Sequence, residues 1–404
     1  MKRIYHTGCF YLPAQKDRLS QWAVVACDQY TSQPDVWHGI EETVGNAPST
    51  LRLILPEVYL SDAVERVKQI HQCMHAYLVQ GVLEEAVHNG LVLTERECAG
   101  GNRIGLVMTV DLDAYDFGRD SSSPIRPTEG TVVERLPPRM AVRRGAPLEC
   151  SHILLLCNDA EQTVIEPLYR DKACLEPLYD VQLMTGGGRL RGWKAAGDRA
   201  EQVFRALDVL AEKTGDGILF AAGDGNHSLA TAKACWEEIK KTLSPEEAQR
   251  HPARFATVEL INIYDPALVF EPIHRVIAGR TGDEVLRILE KAQPEPVNGN
   301  GDMVLVTETG EAAFRFRKPL HPLPVGTVQQ CLDEMHVQDI DYVHGDEAVR
   351  AFVRQGKGSG ILVPPMDKRL LFGAVEKEGP LPRKTFSMGE AHEKRYYMEC
   401  RRIL

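Results

Sequence analysis

The sequence predicts an α/β protein on a mixed sheet. Short apolar runs alternate with helical periodicities, and DMVLVTETGEAAFRFRK reads as a hairpin that a purely parallel sheet would lack. WAVVAC (22–27) is read as a buried strand delivering Asp28 at its end. From Val58 to Leu83, Leu60, Ala63, Val64, Val67, Ile70 and Met74 form the stripe of a packed helix. RIGLVMTVDL is a further strand, and the arginine-dense IRPTEGTVVERLPPRMAVRRGAP then leads into the apolar SHILLLCND, suggesting a polar loop held between strands. A Gly-rich segment at 185–188 precedes a helix around Ala200 to Lys213, which stops at Gly215 and Gly217. FATVELINIYD gives another strand, after a charged connector at 244–254. Helical stretches at 283–292, 325–335 and 346–355, with the hairpin, form a C-terminal α/β lobe. The expected division is 1–280 as the core and 281–404 as the lobe.

With 404 residues and 43% hydrophobic content, the chain can bury its own cores. The opening MKRIYHTGCFYL lacks the apolar centre of a secretory signal and no run reaches membrane-spanning length, so a soluble cytoplasmic protein is expected. A net charge of -10 disfavours nucleic acid and anionic membranes as partners. The ten cysteines include no Cys-x-x-Cys pair, which argues against a zinc ribbon or a redox motif. His71 and His75 have the i, i+4 spacing of zinc ligands but no accompanying glutamate or third ligand, and are read as ordinary helix residues. His274 and His344 are read as satisfied core histidines. Oligomeric state is left open.

The densest chemistry lies in ILFAAGDGNHSLAT (218–231). An apolar strand enters it, and Leu229, Ala232, Trp236 and Ile239 continue as a helix, so Gly-Asp-Gly-Asn-His-Ser occupies a strand-to-helix turn. Gly223 and Gly225 allow backbone angles closed to other residues, and Asp224 or Asn226 is expected to cap the helix. Free amides at a helix start bind phosphate or carboxylate. A plain capped turn explains the spacing equally well, but has no need of His227, which phosphate chemistry uses as donor or proton carrier. The P-loop pattern is absent.

VACDQYTSQPDVW, GDGNHSLATAK and RKTFSMGEAHEKRYY together resemble a widespread prokaryotic family known as domain of unknown function 1015, over most of the chain. In that resemblance Asp28 corresponds to the acid of a Pro-Tyr-Asp motif, and Arg126, Pro127, Glu129 and Thr131 match Arg-Pro-His-Glu-x-Thr. Asp224 to Ser228 is also similar to the Asp-Gly-His-His-Arg turn of the ParB-like superfamily, which includes free-serine kinases and sulfiredoxin. This implies a ParB-like core whose turn holds nucleotide phosphates. Here Asn226 replaces the first histidine, Ser228 the arginine, and Thr128 the histidine of the second motif. The missing arginine removes a bidentate phosphate clamp, so the positive charge must come from Arg126, Arg139, Arg143 or Arg144, with Lys233 a poorer candidate.

These readings converge on nucleotide-dependent phosphoryl transfer to a small hydroxylated metabolite, with free serine the specific guess from the resemblance. Asp28, Glu129 and His227 are the catalytic candidates. Gly223, Asp224, Gly225, Asn226, His227, Ser228, Arg126, Thr131, Arg139 and Arg143 are the candidates for binding ATP or ADP, and Asp224 for holding Mg²⁺. The alternatives are a nucleotide-gated binding module and a phosphatase of a small phosphometabolite. For Asp28 and Asp224 the competing reading is plain loop capping, and for Glu129 it is charge balance among the arginines.

Overall fold

A computed structural model describes residues 2–404, and the chain forms two compact units. The first runs through Leu268 and takes in Glu390–Leu404, while the second is Val269–Gly389. The division therefore falls earlier than the sequence boundary near 280, because the strand Phe270–Ala278 pairs within the second unit. The C-terminal segment returns to the first unit, where Cys400–Arg402 pairs with both Gly8–Pro13 and Leu148–Cys150.

The first unit is a mixed sheet. In spatial order its strands are Ile125–Pro127, Phe220–Asp224, Leu154–Cys157, Phe255–Asn262, Gly101–Asp111, Leu83–Cys98, Gly8–Pro13, Cys400–Arg402 and Leu148–Cys150. The last strand in this order and the third are joined in sequence by residues 151–153 alone. Three residues span at most about 11 Å, so the sheet must curl until its far edge meets that strand. His152 lies in this seam. Alternation along the strands serves two cores: Leu91, Leu93, Leu106 and Met108 pack in one, while Val92 and Val107 face the other with Trp22 and Trp37.

Several local expectations change. Trp22 ends a short helix, Leu19–Trp22, and the following residues form only an isolated bridge, Val25 to Tyr396, so Asp28 sits in a turn after an extended buried segment and not at the end of a sheet strand. The expected helix from Val58 is regular only over Ala63–Val79, where Ile70, Met74 and Tyr77 are buried while Val64 is 78% exposed. The Gly-rich segment at 185–188 is the turn of a hairpin, Glu176–Gln182 with Arg189–Ala196. The charged connector contains the helix Pro245–Arg250, started by a capping box between Ser244 and Glu247.

The second unit is an antiparallel sheet in the order Pro294–Val297, Gly310–Phe316, Met303–Thr307, Gly358–Leu362, Phe270–Ala278, Ile340–His344, with helices Gly282–Ile288, Pro324–Glu334 and Asp346–Arg354. The expected hairpin is present as Met303–Thr307 with Gly310–Phe316. His274 is buried there, its Nδ1 accepting from the Val363 amide and its Nε2 lying 3.0 Å from Asp346. Among the described residues, no helix is long and apolar enough to cross a membrane.

Candidate anion and substrate site

The strand Phe220–Asp224 leads through Gly225 into the helix Asn226–Lys240, as the apolar run and the helical stripe require. Gly225 has φ of +73°, and a Cβ there would stand 3.0 Å from Ile153 Cα and 3.3 Å from the His152 ring. Left-handed backbone and close approach both demand glycine. Gly225→Ala is expected to destabilise the protein by about 1–3 kcal/mol, measured by urea unfolding. Gly223 serves differently, at an irregularity where the pairing with Leu154–Cys157 shifts between Ala222 and Asp224.

The expected side-chain cap is absent. Gly225 is itself the N-cap residue of the helix and no side chain bonds to the first amides. Asp224 Oδ1 instead accepts from the Gly225 amide at 2.9 Å, and the Asn226 Oδ1 is buried without a partner. This fifteen-residue helix thus presents unanswered amides at its positive end.

The arginine-bearing loop reaches the same place. Ile125–Pro127 runs parallel to Phe220–Asp224, with Ala222 opposite Pro127, so both loops leave from one end of the sheet. Thr128 is buried and bonds twice to the Ala222 carbonyl, and the Val132 amide donates to His227 Nε2 at 3.2 Å. Glu129 lies half-buried in this loop, and the Thr131 hydroxyl faces Tyr115.

His227 therefore carries its proton on Nδ1. Burial, then Arg139 and Arg135, push its pKa down to about 4. At neutral pH His227 thus brings no positive charge, and of the expected roles of donor and proton carrier its placed group, a neutral Nδ1–H, fits the donor. Because the folded value lies below the unfolded one, the unfolded chain binds more protons between about pH 6.5 and 4, and stability falls as pH drops through that window. The full loss is at most about 3.4 kcal/mol, lessened by solvent screening of the partly exposed ring, and a His227→Asn variant should flatten that part of the profile of stability against pH.

The arginines are mostly committed. Arg139 pairs with Glu57 and Arg143 with Glu149, while Arg144 is held by Glu238 at an exposed position. Arg126 donates to the Ser123 carbonyl, and Lys233 pairs with Glu237. The positive charge at the turn comes instead from a residue that the sequence reading passed over: buried Lys394, whose Nζ is 3.6 Å from Asp224 Oδ2. That ammonium also acts on Asp28. Asp224 thus has one oxygen bonded to a backbone amide and the other facing an ammonium. Among the described residues, only Cys9, Glu85 and His88 cluster at metal-ligand spacing, on the surface, and His71 bonds to the Val142 carbonyl.

His152 is the second residue missed. Its Nε2 lies 3.2 Å from Ser228 Oγ and 3.6 Å from Asp28 Oδ2, and its Nδ1 lies 2.7 Å from the Tyr397 hydroxyl. Burial pushes the Tyr397 pKa well above its ordinary value, so its hydroxyl keeps its proton. That hydroxyl also accepts from the Cys27 amide, and its contact with Nδ1 orients the ring so that Nε2 faces Ser228 and Asp28. Serine and aspartate share one ring nitrogen, so this is not the relay of a serine hydrolase, where each ring nitrogen has its own partner. Burial works to raise the Asp28 carboxyl, but His152, the Gln29 amide at 3.0 Å and Lys394 outweigh it and hold the pKa below the usual carboxylate range. Asp28 is thus an ionised, oriented acceptor, 29% exposed. Burial, then Asp28, push the neighbouring Cys27 thiol up to about 12, so it stays protonated.

No curated protein sequence matches this chain. Solved structures that resemble it include a free serine kinase in complex with AMP, at 13% identity and a TM-score of 0.40, covering 74% of this chain and 92% of that one. A conserved hypothetical protein from Pyrococcus furiosus follows at 13% identity and 0.36, covering 72% and 90%. The C-terminally truncated SbnI from Staphylococcus aureus has 10% identity and a TM-score of 0.37, covering 70% and 81%. The model of one family matches residues 11–338, and by this match the chain belongs to the family described as "Protein of unknown function (DUF1015)".

Proposed function

We propose that the protein transfers a phosphoryl group from a nucleotide to the hydroxyl of a small metabolite. The observation that carries this reading is the start of the helix Asn226–Lys240, where amides without a side-chain cap stand beside the Lys394 ammonium, and Lys394 also acts on the Asp28 carboxylate. Backbone N–H groups, a helix dipole and one ammonium form a phosphate cradle. A carboxylate near it orients a hydroxyl and receives its proton.

In the transfer, the acceptor oxygen forms a bond to the terminal phosphorus while the bridging P–O bond breaks and its electron pair leaves with the nucleotide. The hydroxyl proton passes to Asp28, which His152 holds in place. Ser228 and the Nδ1–H of His227 are further donors at the helix start, and Lys394 stabilises charge on the moving group. No step is assigned to a metal. Thermal-shift titration with ADP and ATP tests the reading, since a ligand of the folded state raises its stability. Nucleotide at one hundred times its Kd adds about 2.7 kcal/mol. No shift at millimolar concentration would remove the nucleotide.

A further inference from the structure

Two of the ten cysteines face each other across the sheet. Cys150 ends the strand Leu148–Cys150 and Cys400 begins Cys400–Arg402, and the two are direct partners in the antiparallel register. Residues opposite one another in such a pair project to the same face with Cα atoms about 4.5–5.5 Å apart, inside the span of about 4.4–6.8 Å that a disulfide bridges. The sulfurs lie 2.9 Å apart as free thiols. Bonded sulfurs stand at about 2.0 Å, so closure asks for less than about 1 Å of approach and no change of register. A separation of 250 residues hides this pairing from any local cysteine motif. The two thiols differ in reach. Cys400 is buried, and burial pushes its pKa well above the ordinary thiol value, so it stays protonated. Cys150 is half-buried and lines a cavity of about 120 Å³ that also reaches His152, Ser228 and Tyr397. A small oxidant in that cavity meets Cys150 first. Cys73, on the helix Ala63–Val79, is a further neighbour of Cys150.

We infer that Cys150 and Cys400 form a peroxide-responsive dithiol, oxidised reversibly to a disulfide that staples the C-terminal strand beside the candidate site. In the first step the Cys150 sulfur attacks one oxygen of hydrogen peroxide, the O–O bond breaks, and a sulfenic acid and water result. In the second the Cys400 sulfur attacks the sulfenic sulfur, the S–O bond breaks, and the departing hydroxide leaves as water with the Cys400 proton. Together two thiols are oxidised, one peroxide is reduced and two waters form. Exchange with a small thiol reverses the bond. The staple bears on the site through the chain itself. Tyr397 stands just before Cys400 and His152 just after Cys150, and these two are joined at 2.7 Å between the Tyr397 hydroxyl and Nδ1. The inference is independent of the phosphoryl-transfer reading.

The test uses the full chain, reduced and then treated with stoichiometric hydrogen peroxide. Thiols are counted after denaturation, and linked peptides are mapped by mass spectrometry. Titratable thiols are expected to fall from ten to eight, with one peptide pair joining Cys150 to Cys400, and dithiothreitol should restore all ten. The oxidised protein should unfold at a higher temperature than the reduced one, because a cross-link over so long a loop constrains the unfolded chain. Cys400→Ser should stop at the first step and give a dimedone adduct on Cys150, whereas Cys150→Ser should leave Cys400 unmodified. Cys73→Ser should oxidise as the unmutated chain does. A map that joins Cys150 to Cys73, oxidation that spares Cys150, or a count that stays at ten would overturn the inference. So would a linked protein whose unfolding temperature is unchanged or lower, since the bond would then strain a geometry not preset for it. Peptide mapping of the unmutated chain decides the matter even where a variant fails to fold.

Discussion

Replacing Lys394 with methionine is expected to weaken ADP binding by about ten- to a hundredfold, the effect of losing one charge-assisted hydrogen bond to phosphate. Methionine keeps the length and apolar stem of the side chain and removes only the ammonium. Asp224, 3.6 Å away, then loses its counter-charge and becomes an added source of repulsion toward phosphate. Lys394→Arg should retain most of the affinity, because the charge remains. Calorimetric titration of the three proteins with ADP checks both statements. Equal affinity in all three would show that the ammonium serves only to balance Asp224.

Asp28→Asn has the other large expected effect. The amide is nearly isosteric but does not accept a proton at neutral pH, so ATP-dependent turnover should fall by about a hundredfold to ten-thousandfold. ADP affinity should change by less than about threefold, since the phosphate is held by the helix start and Lys394. A variant with full turnover would reduce Asp28 to a loop residue bonded by Gln29. One with turnover and ADP affinity lost together would place Asp28 in binding. His152→Phe separates positioning from proton acceptance. It leaves the carboxylate intact but removes the hydrogen bonding that ties Asp28, Ser228 and Tyr397 together, so kcat should fall less than in Asp28→Asn and its pH dependence should move.

The strand, turn and helix around Gly225 were legible because their signals are local: an apolar run, two glycines and a stripe spaced as one helix face. Asp28 stands out in the sequence as the polar end of an apolar run, but it lies in a turn and not at the end of a sheet strand. WAVVAC looks like a sheet strand because all six residues are apolar, whereas the burial of Trp22 to Ala26 comes partly from a C-terminal segment whose Tyr396 bridges Val25. His152 and Lys394 were not legible for the same reason. His152 meets Ser228 and Tyr397 at separations of 76 and 245 residues, contacts created only when the sheet curls and residues 151–153 close the seam. Lys394 sits in a tail of mixed charge where nothing in the spacing marks one cation over its neighbours. The arginine cluster drew attention by density, but density proved to reflect ion pairs with Glu57, Glu149 and Glu238 that hold the loop and helices together.

Hydrogen exchange at the turn is the most direct measurement of the central claim. Saturating ADP is predicted to slow exchange of the backbone amides from 225 to 228, with smaller protection around Lys394. Unchanged exchange across 225–228 at millimolar ADP, or protection confined to other segments, would contradict the assignment of this helix start as the phosphate site.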